Sequence, residues 1–225
     1  LKRSADRVLE QQEINGSRKG GVMMNGLFSA FGKMCRGGVK VLGVMGMVSL
    51  LLVPTVLAEE TQAEKPAPHV LLKTKFGEME IVLFPDLAPK HVESFLKLTN
   101  SGFYNGTIFH RILPGFMIQG GDPLTKDPAN RNRYGTGGPG YTVPAEFSKV
   151  AHEKGILSAA RTQDPNSAGS QFFIMVDKAP HLDGQYTVFG EVVKGVEVAE
   201  TIVSQPRDLR DNPVERIEMT IEEIK

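Results

Sequence analysis

From Val70 to Ile224 the chain is cut every few residues by Gly, Pro, Asn or Asp into short runs rich in β-branched and aromatic side chains. That punctuation constrains the fold more than any other feature. Val70 and Leu72, then Met79, Ile81 and Leu83, alternate with polar neighbours on either side of Phe76-Gly77, which is the period of a hairpin with one buried face. Ile108–Leu113, Phe116–Gln119, Ile156–Ala160, Gln171–Val176 and Tyr186–Val193 read as further strands, and Val214–Ile224 alternates as a last one. Helical spacing occurs in two places. Pro89 opens a run in which Val92, Phe95, Leu96 and Thr99 share a face until Gly102 stops it, and Val196–Val203 forms a second. Many strands, two helices and no βαβ rhythm predict a mainly β fold whose antiparallel sheet closes on itself. Asp122–Gly140, long, polar and glycine-rich, is expected as a surface loop.

Ahead of that domain the composition changes. Residues 1–58 carry 8 Lys+Arg against 3 Asp+Glu, whereas residues 59–225 carry 18 against 23, a net charge of −5. Lys33, Arg36 and Lys40 precede the apolar run Val41–Val53, and Val56-Leu57-Ala58 places small residues where a signal peptidase reads them. The run of thirteen residues spans about 20 Å as a helix, short of a hydrocarbon core of ~30 Å, so a cleaved signal is expected rather than an anchor. Membrane contact would then be confined to an uncleaved signal segment. Lys2–Gly21 has no period, and the natural start is expected at Met23 or Met24. Three regions follow: an extension and signal over residues 1–58, a charged, proline-bearing tether over 59–68, and one domain over 69–225. Export by a Sec-type signal points to a periplasm, with secretion the alternative.

Cys35 is the sole cysteine and lies before the apolar run, so the domain has no thiol for catalysis or cross-linking. Its acidity argues against nucleic acid as the partner. His69, His110, His152 and the pair His91 and Glu93 lack metal-ligand spacing, and no metal or cofactor is expected. Gly135-Thr-Gly137-Gly-Pro-Gly140 fits G-x-G-x-x-G on paper, but Pro139 lacks the N–H a phosphate would need, and no strand-to-helix turn surrounds it.

Three segments carry the chemistry: FHRILPGFMIQGGD from Phe109, GILSAARTQDPNSAGSQFFIMV from Gly155 and LDGQYTVFGEV from Leu182. On strand alternation alone Phe109, Arg111 and Leu113 share a face, which sets a guanidinium among apolar side chains. Two readings of that arginine stay open from the residues: a structural pair with a carboxylate such as Glu146, or a functional cation. Together the segments resemble cyclophilins over about residues 69–225. The resemblance implies an eight-stranded β-barrel capped by two helices and isomerisation of X–Pro bonds in proline-containing polypeptides; a monomer is expected.

By the same resemblance Arg111 is the catalytic side chain and Gln119 steadies it. Phe116, Met117, Phe173 and Leu182 line a proline pocket, Ala160 and Arg161 hold the substrate backbone as an added strand, and Gln171 borders a second pocket. Phe172 faces the other way and is expected in the core. His181 and Tyr186 stand where well-studied eukaryotic members have tryptophan and histidine, and one extra residue falls within Thr162–Pro165. Turnover is expected to survive these departures and cyclosporin binding to weaken. The rival function is a binding module or holdase of the same fold without turnover. A weaker one is an interaction domain using Asp122–Gly140.

Overall fold

A computed structural model describes residues 66–224. The expected extension, signal, start site, cysteine and most of the tether lie outside these residues. Strands β1 (His69–Thr74) and β2 (Gly77–Leu83) form the anticipated hairpin, with Val70 facing Ile81 and Leu72 facing Met79. Helix α1 (Pro89–Asn100) follows, then β3 (Thr107–Ile108), β4 (Arg111–Leu113), β5 (Met117–Gly120), β6 (Ile156–Ala159), β7 (Phe172–Met175), β8 (Val188–Lys194), helix α2 (Val196–Val203) and β9 (Glu218–Ile224).

One antiparallel sheet of nine strands runs β3-β9-β1-β2-β8-β6-β7-β5-β4. Eight were expected, and the extra one arises because the run Ile108–Leu113 breaks at Phe109-His110 into β3 and β4. Those two strands are the opposite edges of the sheet, so the chain itself joins the edges. Phe109 N–H donates to Ile217 O on one side and His110 N–H to Gln119 O on the other. The final strand is shorter than its alternation suggested, starting at Glu218, and Val214 is exposed.

The main core fills one face of the sheet: Leu72, Met79, Ile81, Ile112, Ile118, Leu157, Phe172 and Ile174 meet Val92, Phe95 and Leu98 of α1 and Val198, Ala199 and Ile202 of α2. Phe172 therefore takes its expected core position, edge-on to Phe95 with centroids 5.6 Å apart. Removing large apolar side chains of this kind from water supplies about 1.5–3 kcal/mol each. Phe109 and Ile112 both belong to this core, although alternation had set Phe109 beside Arg111. The break at Phe109-His110 resets the strand phase, leaving Arg111 and Leu113 on the opposite face.

The stretch Asp122–Gly140 is more ordered than its composition suggested. It holds two short 3-10 turns, Pro123–Lys126 capped by Asp122 and Pro128–Arg133 capped by Asp127, and Asp122 is fully buried. Its carboxylate accepts from the backbone N–H of Leu124 (2.8 Å), Gly135 (2.6 Å) and Gly137 (3.2 Å). Among the described residues no helix is long and apolar enough to cross a membrane, and no group of three His, Cys, Asp or Glu side chains is placed to hold a metal ion.

Candidate active site

Pairing register sets out the second face. Arg111 on β4 stands opposite Gln119 on β5, Gln119 opposite Phe173 on β7, and Phe173 opposite Ser158 on β6. Directly paired residues project to the same side, so a guanidinium, an amide, a phenyl ring and a hydroxyl form one row. Leu113, Met117 and Met175 form the next. A smaller apolar cluster covers these rows, with Met117, Phe173, Met175, Leu182 and Val188 buried and Phe116, Ala160 and Tyr186 packed at its rim.

Arg111 is half-buried at the edge of that cluster. Its Nη1 donates to Gln119 Oε1 at 3.5 Å, a long contact that leaves most of the fork's donors free. Among the described residues no carboxylate pairs with it. The structural alternative, a pair with Glu146, does not form because Glu146 is engaged elsewhere. Its carboxylate accepts from His91 Nδ1 (2.7 Å) and from the backbone N–H of Lys90 (3.1 Å) and His91 (3.0 Å), capping α1 where Ala88 offers no side-chain acceptor. Burial pushes the Glu146 carboxyl up, but those three donors outweigh it and hold the group below its usual range.

The amides beyond Arg111 have one consistent orientation. Gln171 Nε2 donates to Gly135 O (3.0 Å) and Gly137 O (2.8 Å), which can only accept. Gln171 Oε1 is thus left to accept from Gln119 Nε2 at 3.0 Å, and Gln119 Oε1 is left facing Arg111. Asp122, by fixing Gly135 and Gly137, sets the direction of the whole chain.

On the far side of the apolar cluster, His181 is exposed with its ring stacked on Phe116 at 5.8 Å. Tyr186 packs edge-on against Phe173 at 5.8 Å and carries the Arg161 guanidinium over its other surface at 4.4 Å. Arg161 Nε and Nη2 also donate to Gln185 O, so Arg161 ties the end of β6 to the segment that bears His181, Leu182 and Tyr186.

Sequence reasoning missed the support beneath this wall. His152, set aside as unliganded, is buried against Phe173, the rings stacked at 6.1 Å. Its Nδ1 donates to Asp183 Oδ1 at 3.0 Å, its backbone N–H donates to the same oxygen at 2.8 Å, and its Nε2 lies 3.2 Å from Ser158 Oγ. Burial lowers the His152 pKa against the opposing pull of Asp183. Nothing in the spacing of His152, Ser158 and Asp183 announces this cluster.

A family model described as cyclophilin type peptidyl-prolyl cis-trans isomerase/CLD matches residues 69–224. The chain is 49% identical over 148 residues to a probable peptidyl-prolyl cis-trans isomerase of Brucella suis, an alignment covering 64% of this chain and 76% of that protein. It is 45% identical over 128 residues to peptidyl-prolyl cis-trans isomerase B of Bacillus subtilis, covering 56% and 83%. Among solved structures, a cyclophilin type peptidyl-prolyl cis-trans isomerase of Cryptosporidium parvum matches with a TM-score of 0.64 at 34% identity, covering 71% of this chain and 98% of that one. A second crystal structure of that isomerase, in the presence of the dipeptide Ala-Pro, gives a TM-score of 0.63 at 35% identity, covering 70% and 99%.

Proposed function

Because this chain belongs to the cyclophilin-type peptidyl-prolyl cis-trans isomerases and interconverts the two forms of X–Pro bonds, we propose that Arg111 is the side chain that lowers the barrier and that the substrates are exported polypeptides. Amide resonance sets that barrier at ~18–20 kcal/mol, and uncatalysed exchange takes tens to hundreds of seconds. No covalent bond changes. The enzyme has only to hold the twisted amide better than either planar one.

In the twisted state the prolyl nitrogen is pyramidal and its lone pair is no longer delocalised. A donor fixed beside it stabilises that state and neither ground state. Arg111 suits the task because it stays charged, its fork has donors to spare, and it sits at the edge of an apolar surface made by Phe116, Met117, Phe173 and Leu182. Water excluded by a pyrrolidine ring resting there strengthens the contact. The observation that carries this reading is an arginine with no carboxylate partner among the described residues, held by a single amide beside apolar side chains. Ala159 N–H donates to Thr187 O and Ala160 N–H to Gln171 O, so the end of β6 is held on both sides as far as Ala160, and a substrate strand would add beyond it, along the Arg161 backbone.

If the contact is comparable to an oxyanion-hole donor, Arg111→Ala lowers kcat/KM on a proline peptide by ~10²–10³. Turnover near that of the parent protein overturns the assignment and favours the binding-module reading. Export rests on the basic, apolar and small-residue order from Lys33 to Ala58. Intact mass and fractionation test it: product outside the cytoplasm and beginning at Glu59 supports export, and full-length cytoplasmic product refutes it.

A further inference from the structure

Beside the apolar cluster lies a second hollow of about 640 Å³, bounded by Gln119 and Gln171, the glycine-rich segment Gly135–Gly140, and Ala160–Thr162. It is large enough for a side chain of a bound polypeptide. Its lining mixes glycine backbone, hydroxyls and amides with Pro139, Tyr141 and Ala160, and among the described residues that line it Arg161 is the one that carries a charge.

Among the described residues that charge has no counter-ion. Arg161 Nη1 donates to Thr162 O (2.8 Å) and Gln163 O (3.3 Å), Nε and Nη2 donate to Gln185 O, and one guanidinium face rests on Tyr186. Carbonyls and a ring orient a cation without neutralising it, and among the described residues no carboxylate pairs with it. The neighbouring Asp164 lies outside the lining and turns its carboxylate back to the N–H of Asn166. Five contacts hold the guanidinium at the border of the hollow, against Gln163, Gln185 and Tyr186, which lie outside the lining, so a ligand in the hollow meets a charge that is already ordered.

We propose that Arg161 is a specificity-determining residue, and that this hollow selects substrates bearing an Asp or Glu side chain close to the isomerising proline. The inference rests on the isomerase reading and extends it to a class of substrate. The preference is modest, about three- to five-fold in kcat/KM for Glu over Gln, the scale of a partly exposed ion pair, and Lys is disfavoured below Gln.

The test uses the purified protein and peptides in which Glu, Gln or Lys occupies, in turn, each of the two positions before and the two after the X–Pro pair, with an uncharged Ala-Pro peptide as baseline. At the position that enters the hollow, the order is Glu, Gln, Lys. The Glu-to-Lys ratio shrinks as salt rises from 20 to 500 mM, falls to about one in Arg161→Gln, and persists in Arg161→Lys. Baseline turnover with no charge preference at any position, or a preference unmoved by salt and by Arg161→Gln, overturns this inference and leaves the isomerase reading standing. Absent baseline turnover overturns both.

Discussion

Gln119 Nε2 donates to Gln171 Oε1 at 3.0 Å, and the direction of that bond is imposed from outside the pair. Gly135 O and Gly137 O claim the amino group of Gln171, so its oxygen turns to Gln119, whose own oxygen then turns to Arg111. The loop conformation is thereby transmitted to the cation through two amides. An amide oxygen facing Arg111 helps to hold it, whereas an amide nitrogen there would repel it.

Gln171→Met keeps the length of the side chain and removes the relay. Gln119 is then free to turn over, and the two glycine carbonyls lose their donor. A lost hydrogen bond of this kind is worth about 1–1.5 kcal/mol, so kcat falls by roughly ten-fold. Because Gln171 acts here through Arg111, the loss appears in kcat more than in KM. Steady-state kinetics on one proline peptide separates the two, and an effect confined to KM contradicts the relay.

Arg111→Lys tests whether charge alone suffices. Lysine keeps the charge but replaces a planar fork, able to hold Gln119 and a prolyl nitrogen together, with a single flexible ammonium. The variant is expected to recover less than ten-fold of what Arg111→Ala loses. Recovery to within a factor of three of the parent enzyme would mean that the field of the cation, not its geometry, carries catalysis.

How much of this was readable in advance follows from how local each feature is. The hairpin around Phe76-Gly77 and helix α2 rest on periodicity within a few residues, and the structure has both where the pattern put them. Arg111, Gln119 and Phe173 were linked by resemblance, and strand register now aligns them. The face of Phe109 was misjudged because alternation was carried through a break that only the pairing of β3 with β9 and of β4 with β5 reveals. The Glu146 cap on α1 and the Asp183 grip on His152 join residues 55 and 31 positions apart, and neither carries a local signature.

His110 gives the domain an acid limit. The side chain is buried, among the described residues neither ring nitrogen has a hydrogen-bond partner, and burial lowers its pKa from 6.5 to about 4, with Asp122 opposing and Arg111 reinforcing the shift. The unfolded chain therefore binds the proton more readily, and stability present above pH 6.5 is lost as pH falls towards 4, by about 3 kcal/mol. His91 and His152, whose pKa values burial also lowers, act with the same sign. Urea unfolding at pH 7 and pH 4 measures the loss. His110→Leu removes the titrating group without stranding a partner, and its unfolding free energy should change by about 3 kcal/mol less between the two conditions. An unchanged difference would assign the acid sensitivity elsewhere.

Two adjacent glycines separate the anchoring of the loop from its composition. A Cβ on Gly137 would collide with the Asp122 carboxylate and come within 2.9 Å of Leu124 Cγ, whereas a Cβ on Gly138 meets nothing within 4 Å. Asp122 is fully buried and also holds Leu124 and Gly135, so it has little room to yield, and relief must come from displacing the Gly137 segment. That displacement withdraws Gly137 O from Gln171 and disturbs the amide relay at its source. Gly137→Ala is accordingly expected to cost about 1–3 kcal/mol of stability, on the scale of overpacking a filled site, and to lower kcat as Gln171→Met does. Gly138→Ala should leave stability within about 0.5 kcal/mol, as surface substitutions usually do. Unfolding curves and kinetics on both variants decide the point: equal behaviour of the two would mean that the loop is held by something other than Asp122, and normal kcat in a destabilised Gly137→Ala would uncouple the loop from Arg111.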